Sequence, residues 1–265
     1  MNVVEKQMLE ILIDLKMNYG AISVKAEFEA EGTRTEELLR LLDIARRASM
    51  KIALKIGGCE AIRDLIEAKQ FGVDFIIAPM VETPYALEKF IEAKNKVFNS
   101  EESKDVDFLV NIETETGYMH REKICEIASA QNGLQGIVFG RVDYAGSLRL
   151  PLNMVDDNGI TSACMNVAKK CKSNNLDFVV GGGVSSHAIN ALNMIKSEFL
   201  SRFETRKVIF NATSLANKNL KDGLIKAVHF ELLWLLNKRD FYSVITKEDD
   251  KRIEMLDSRW KILKK

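Results

Sequence analysis

The stretches DFLVNIETETGY (107–118) and GIVFGRVDYAGSL (136–148) decide how this chain folds. Each begins with a short apolar run, meets a carboxylate just beyond it (Glu113 in one, Asp143 in the other) and continues into a helix-forming segment. Apolar runs this short, rich in Val, Ile, Leu and Phe, read as buried strands. In a parallel α/β protein both carboxylates then stand at the C-terminal ends of strands, where active sites are built. Two acidic side chains converging there, with no basic residue adjacent to either, repel each other. A divalent cation is the simplest compensation, and oxygen ligands favour a hard ion, Mg2+ or Mn2+.

The same unit recurs along the chain. Further strands are expected at AISVKAEF (21–28), KIALKI (51–56), DFIIAPM (74–80), DFVVGG (177–182) and KVIFNA (207–212). Between them, segments such as TEELLRLLDIARRA (35–48) repeat apolar residues at helical spacing. Strands alternating with helices imply a parallel sheet with right-handed crossovers. Seven such strands suit a TIM-type (β/α)8 barrel better than a small open sheet, with a doubly wound sheet as the alternative. No eighth strand is visible. Residues 1–20 read as an amphipathic helix where a first strand belongs, so the irregularity is expected at the N-terminal strand. Residues 224–239 and 248–265 read as two additional C-terminal helices able to clasp a neighbouring subunit, the whole of 1–265 forming a single barrel domain.

Bulk composition narrows the function classes. Lys+Arg and Asp+Glu balance at 38 each, which gives no electrostatic footprint for nucleic acid or an anionic membrane. The cysteines at 59, 125, 164 and 171 have no CxxC spacing, as expected of a reduced, cytoplasmic protein. The N-terminal helix scatters acids and lysines among its apolar positions and is neither a signal peptide nor a membrane span.

On this strand reading one face of the barrel collects Glu27 and Glu29, Lys55 with Gly57 and Gly58, Pro79 and Met80, and Glu113. It continues with Arg141 and Asp143, Gly181 to Gly183 with Ser185, and Asn211 with Ser214. Carboxylates, cations and accessible backbone N–H groups are what metal-assisted chemistry on a carboxylate substrate requires. The triple glycine reads either as a phosphate cradle or as a tight turn, and lacks the dinucleotide fingerprint. His187 and His229 fall in helical patterns. His120 follows Glu113 closely enough to approach the site, although a solvated helix position is the ordinary outcome.

In order along the chain, AEFEAEGT, ALKIGG, FIIAPMVETPYAL, FLVNIETETGY and GIVFGRVDYAGSL resemble the HpcH/HpaI aldolase and citrate lyase beta-subunit family. The most specific parts are APMVET, the IET after a strand and the FGxxD after the next, and the resemblance covers roughly residues 22–150. It implies a (β/α)8 barrel, usually with a C-terminal helix swapped between subunits of a homo-trimer or hexamer. It also implies carbon–carbon bond cleavage or formation through an enolate of pyruvate or an acyl-CoA, with Glu113 and Asp143 in the metal-ligand positions.

This chain departs from the family pattern twice. Lys55 stands where an arginine usually binds the substrate carboxylate; it supplies charge but not a bidentate fork. Glu27-Phe28-Glu29 stands where the pyruvate aldolases carry a catalytic histidine. The expected activity is a class II-type, metal-dependent aldolase acting on a 2-oxo acid and an aldehyde. Glu29 or Glu27 would move the proton. Lys55, Arg141 and the backbone of Gly140, Val142 and Gly182 would hold the substrate. The competing readings are a citrate lyase beta-like or malyl-CoA lyase-like enzyme acting on an acyl-CoA thioester, a metal-free aldolase with Lys55 as Schiff-base nucleophile, and a non-catalytic barrel kept as an assembly partner.

Overall fold

A computed structural model describes residues 1–263. Among them eight strands close into a barrel in chain order: β1 (Ala21–Glu27), β2 (Lys51–Lys55), β3 (Phe75–Ala78), β4 (Asp107–Ile112), β5 (Gly136–Gly140), β6 (Asp177–Gly181), β7 (Arg202–Glu204) and β8 (Val208–Asn211). Helices α1 (Val3–Tyr19), α2 (Thr35–Arg47), α3 (Ile62–Phe71), α4 (Pro84–Val97), α5 (Glu115–Met119), α6 (Arg121–Ala128), α7 (Arg141–Ser147), α8 (Asn158–Ser173), α9 (Ile189–Glu198) and α10 (Leu220–Leu263) accompany them. The architecture is the TIM-type α/β barrel that the sequence implies, with two corrections.

The first concerns the irregular strand. β1 pairs in parallel with β2 from Ser23 to Glu27, and the irregularity expected at the N-terminal strand is confined to its antiparallel seam with β8, where the register shifts between Ala21 and Ser23. The strand missing from the sequence reading is β7, three residues long, which pairs in parallel with β6. Only Thr205, Arg206 and Lys207 separate β7 from β8. A parallel return needs a crossover of a dozen or more residues, so this link can only form a hairpin. β8 accordingly runs antiparallel to both β7 and β1. Asn211 pairs with Arg202 at the N-terminal end of the barrel, and with Ser214 lies away from the mouth to which the sequence assigned them.

The second correction is that the two C-terminal helices are one. No Gly or Pro interrupts residues 224–263, and α10 runs unbroken for 44 residues, about 66 Å at 1.5 Å per residue. Its first half buries Leu224, Ala227, Phe230 and Trp234, whereas residues 244–263 are exposed. The last two positions of the second expected helix lie outside the described residues. No helix among those described is long and apolar enough to cross a membrane.

Period-two alternation sorts the strand side chains into two layers. Ala53, Phe75, Ile77, Leu109, Val138, Val179 and Ile209 fill the lumen, leaving a cavity of about 10 Å³, at the limit of one water. The opposite faces pack against the helices in one larger core. The lumen therefore has no room for a substrate, and the polar inward positions end up at its two mouths. At the N-terminal mouth Arg202 pairs with Asp177 at 2.9 Å, and the Arg202 and Lys51 cations lie over the Phe75 ring. The C-terminal mouth holds Lys25, Glu27, Lys55, Asn111, Glu113 and Glu204.

Two buried carboxylates dock α10. Glu5 accepts from Arg40, and its neighbour Asn2 bonds Asn237 at 2.7 Å; Glu37 accepts from Tyr242 at 2.7 Å and pairs with Lys238 at 2.9 Å. Burial alone would raise both carboxyls. The Arg40 and Asn2 hydrogen bonds hold Glu5 below the ordinary value of 4.5, and the Tyr242 and Lys238 bonds do the same for Glu37. A depressed folded-state pKa contributes stability that is present above the unfolded value and lost as pH falls through the folded one. Protease access to α10 is therefore expected to stay flat between about pH 5 and 7 and to rise only below about 4.5. Loosening within the neutral range would show that these carboxylates are not what docks the helix.

Candidate active site

Glu113 immediately follows β4 and is only 2% exposed. Its Oε1 accepts the Met80 N–H at 2.9 Å, and its Oε2 accepts the Asn111 amide at 2.7 Å. Lys55 Nζ, at the end of β2, stands 3.7 Å from Oε2. Met80 makes its contact from a left-handed backbone, φ 52°, a conformation a non-glycine residue adopts only where the surroundings enforce it. Burial pushes the Glu113 carboxyl up; Lys55, Met80 and Asn111 offset this in part, and the nearby Asp143 charge adds to it. Asp143 itself lies in the first turn of α7 with its side chain exposed. Both expected carboxylates thus stand at the C-terminal mouth of the barrel, near enough for the Asp143 charge to act on Glu113.

Gly140 makes this arrangement possible. A Cβ there would lie 2.5 Å from Glu113 Oε2 and 2.8 Å from its Cβ, so only a bare backbone lets Glu113 lie across the end of β5. Gly182, at φ +80°, is equally constrained: a side chain would meet the Val142 and Arg141 backbone nitrogens at 2.7 and 2.9 Å. Here the triple glycine serves as a tight turn packed on α7. Gly57 is similarly committed, its N–H donating to Asp64 at 2.6 Å.

Arg141 differs from the sequence reading. Its side chain is wholly buried: Nη1 pairs with Asp156 at 2.6 Å, Nη2 donates to Gly182 O at 2.8 Å and Nε points to Gly181 O at 3.4 Å. The guanidinium clamps the β6 turn to the segment after α7 and is not presented to a substrate. His120 is exposed at the junction of α5 and α6, its Nδ1 3.0 Å from the Glu82 and Thr116 carbonyl oxygens.

The two expected bases have different surroundings. Glu27 is buried, with Oε1 3.1 Å from Lys25 and Oε2 3.4 Å from Arg206. Burial would raise its carboxyl, but Lys25, Lys55 and Arg206 together hold it below the usual range, which suits a counter-ion better than a base. Glu29 is more exposed, accepts the Ala30 N–H at 2.8 Å and pairs with Lys55 at 3.3 Å.

Four charged groups of the mouth escaped the sequence reading. Lys25 is buried between Glu204, at 2.5 Å, and Glu27. Burial opposes its charge, yet those two carboxylates raise its pKa well above that of a free lysine. Arg206 and Lys207, in the β7–β8 hairpin, pair with Glu31. The signal for Lys25 was present, since Ser23, Lys25 and Glu27 alternate on one face of β1. Glu204 gave none, because its strand is too short to be recognised.

Carboxylates outnumber cations around the mouth, and the Asp143 charge acts on Glu113 without an ion pair of its own to offset it. Each Glu113 oxygen accepts a single N–H and keeps a lone pair, and the Asp143 carboxylate faces solvent. No three His, Cys, Asp or Glu side chains converge as a metal-binding group among the described residues. Two carboxylates, with water and substrate completing the shell, fit Mg2+ or Mn2+, which retain several waters.

The family model described as HpcH/HpaI aldolase/citrate lyase matches residues 20–190. This chain belongs to that family. At the family level it is a carbon–carbon lyase. The matched segment contains Glu113 and Asp143 and ends before the β7–β8 hairpin. Solved structures share the fold at low identity. An HpcH/HpaI aldolase from Desulfitobacterium hafniense is 10% identical with a TM-score of 0.61, the alignment covering 77% of this chain and 83% of the other. An HpcH/HpaI aldolase/citrate lyase family protein from Burkholderia cenocepacia is 13% identical with a TM-score of 0.59 over 84% and 90% of the two chains. RipC from Yersinia pestis is 17% identical with a TM-score of 0.51 over 80% and 88%. No curated protein matches the chain.

Proposed function

We propose that this lyase is a class II-type aldolase that forms and cleaves a carbon–carbon bond through the enolate of pyruvate or a related 2-oxo acid. The observation that carries the reading is the pair Glu113 and Asp143 at the barrel mouth, one buried and held by two N–H donors beside the Lys55 charge, the other open to solvent. These two would hold Mg2+ or Mn2+, which supplies positive charge where the enolate's negative charge develops. Met80, Asn111 and Lys55 fix the Glu113 carboxylate before substrate arrives, so no reorganisation is needed during the reaction. Lys55, which pairs with Glu29 and Glu113, would meet the substrate carboxylate as a charge partner.

A thioester-cleaving lyase remains the second reading, favoured by one observation: the segment Glu27-Phe28-Glu29 lacks the histidine of the pyruvate aldolases. Thermal shift in the presence of Mn2+ separates the two. Pyruvate or oxalate is expected to raise Tm and acetyl-CoA to leave it unchanged; protection by the thioester alone would reverse the assignment. The exposed apolar face of α10, including Ile225, Val228, Leu232 and Leu235, supports a homo-oligomer, a trimer or hexamer, built through this helix. Light scattering that finds a monomer at micromolar concentration would contradict it.

A further inference from the structure

The hairpin that departs from the regular barrel also delivers a carboxylate to the mouth. Glu204 is 4% exposed, and its Oε1 lies 2.5 Å from Lys25 Nζ. Its Oε2 is buried and has no hydrogen-bond partner, an arrangement that costs free energy unless the group meets a partner that comes and goes. The carboxylate lies across Gly181, where a Cβ would sit 2.8 Å from Oε1. Gly181 and Gly140 are register partners in the β5–β6 ladder, and Glu113 lies across Gly140 in the same manner. Neighbouring strands run about 4.8 Å apart. Glu113 and Glu204 therefore lie over adjacent glycines of neighbouring strands.

We infer that Glu204 carries the proton in the proposed reaction, replacing the histidine that this chain lacks. The inference rests on the enolate reading above and deepens it. Of the carboxylates considered as base, Glu27 has both oxygens engaged by cations and Glu29 is partly solvated and paired with Lys55. Glu204 alone keeps a buried, unengaged oxygen, while Lys25 fixes the orientation of the other. In the synthetic direction, Oε2 takes a proton from C3 of the 2-oxo acid. The C–H electron pair becomes the C2=C3 bond, and the carbonyl π pair moves to oxygen. The enolate C3 then attacks the aldehyde carbon, and the new alkoxide takes the proton back from Glu204. The carboxylate is regenerated and the product is a 4-hydroxy-2-oxo acid, with no other reactant consumed. Cleavage runs the same steps in reverse.

The test compares wild type and Glu204→Gln for deuterium exchange into the methyl group of pyruvate in the presence of Mn2+. Loss of a general base is expected to slow exchange by roughly 10²–10⁴-fold, in kcat, with the KM for pyruvate and Mn2+ binding by calorimetry both unchanged. Glu204→Asp, which keeps the charge and draws the oxygen back by one methylene, is expected to retain an intermediate rate. It also answers the question if the Gln variant fails to fold. Exchange by the Gln variant within threefold of wild type, or a change confined to KM, overturns the inference and leaves the enolate reading standing. A wild-type protein that exchanges nothing removes both.

Discussion

Glu113→Gln and Asp143→Asn are each expected to lower metal-dependent turnover at least a hundredfold while the fold survives. A bound divalent cation stabilises developing negative charge by several kcal/mol, and about 2.7 kcal/mol already corresponds to a hundredfold in rate. The two variants should differ in stability. Asp143 is exposed and binds no neighbour strongly, so Asn is expected to leave Tm within a degree or two. Glu113 is buried, with its carboxyl pushed up by desolvation and by Asp143. A neutral amide there relieves that repulsion but gives up the pairing with Lys55 and turns an NH2 toward the Met80 or Asn111 donor. A modest loss of Tm is therefore expected, and circular dichroism with steady-state kinetics checks both variants. Undiminished activity in both would end the assignment of these residues.

Lys25→Met is expected to have the largest effect on stability of any single substitution at the mouth. Removing one partner of a buried ion pair costs about 3–5 kcal/mol, because the charge left behind has neither water nor a counter-ion. Here two buried carboxylates, Glu27 and Glu204, lose their shared ammonium, though Glu27 keeps Arg206. For a chain of this size the loss corresponds to a fall in Tm of about 10 °C. Denaturant unfolding is the measurement, and a cost below 1 kcal/mol would mean that water reaches the pair. Replacing Glu27 and Glu204 by Met along with Lys25 is expected to recover much of the stability, since an apolar substitute for a buried ionic cluster is often neutral.

What could be read in the sequence follows from how strongly each element depends on local pattern. Six of the eight strands end in a Gly, Pro or acidic corner after a run of Val, Ile or Phe, and those runs marked the barrel. Glu113 and Asp143 are legible as candidates because Glu113 directly follows such a run and Asp143 stands three residues beyond another. β7 was not, because Arg202, Phe203 and Glu204 offer one apolar residue between two charges, and their strand character comes from pairing with β6 and β8. The direction of β8 was likewise hidden: it is set by the three-residue link, and that link is visible only once β7 is recognised. Arg141 was misplaced for a different reason. Its position beside Asp143 suggested a substrate ligand, but the partner that claims it, Asp156, lies fifteen residues on across a turn no local pattern predicts. Charge at the mouth is thus partly local, as in Lys25 and Glu27 alternating along β1, and partly a product of barrel closure, which brings Glu204 to Lys25 from 179 residues away.

Glu113 and Asp143 are proposed to support enolate formation at the barrel mouth. Proton NMR of pyruvate in deuterated buffer tests it most directly, with the protein in Mg2+ or Mn2+ and then after EDTA. Loss of the methyl signal is expected with metal present, and none after chelation. Exchange that persists in EDTA, or no exchange in either condition, would contradict it.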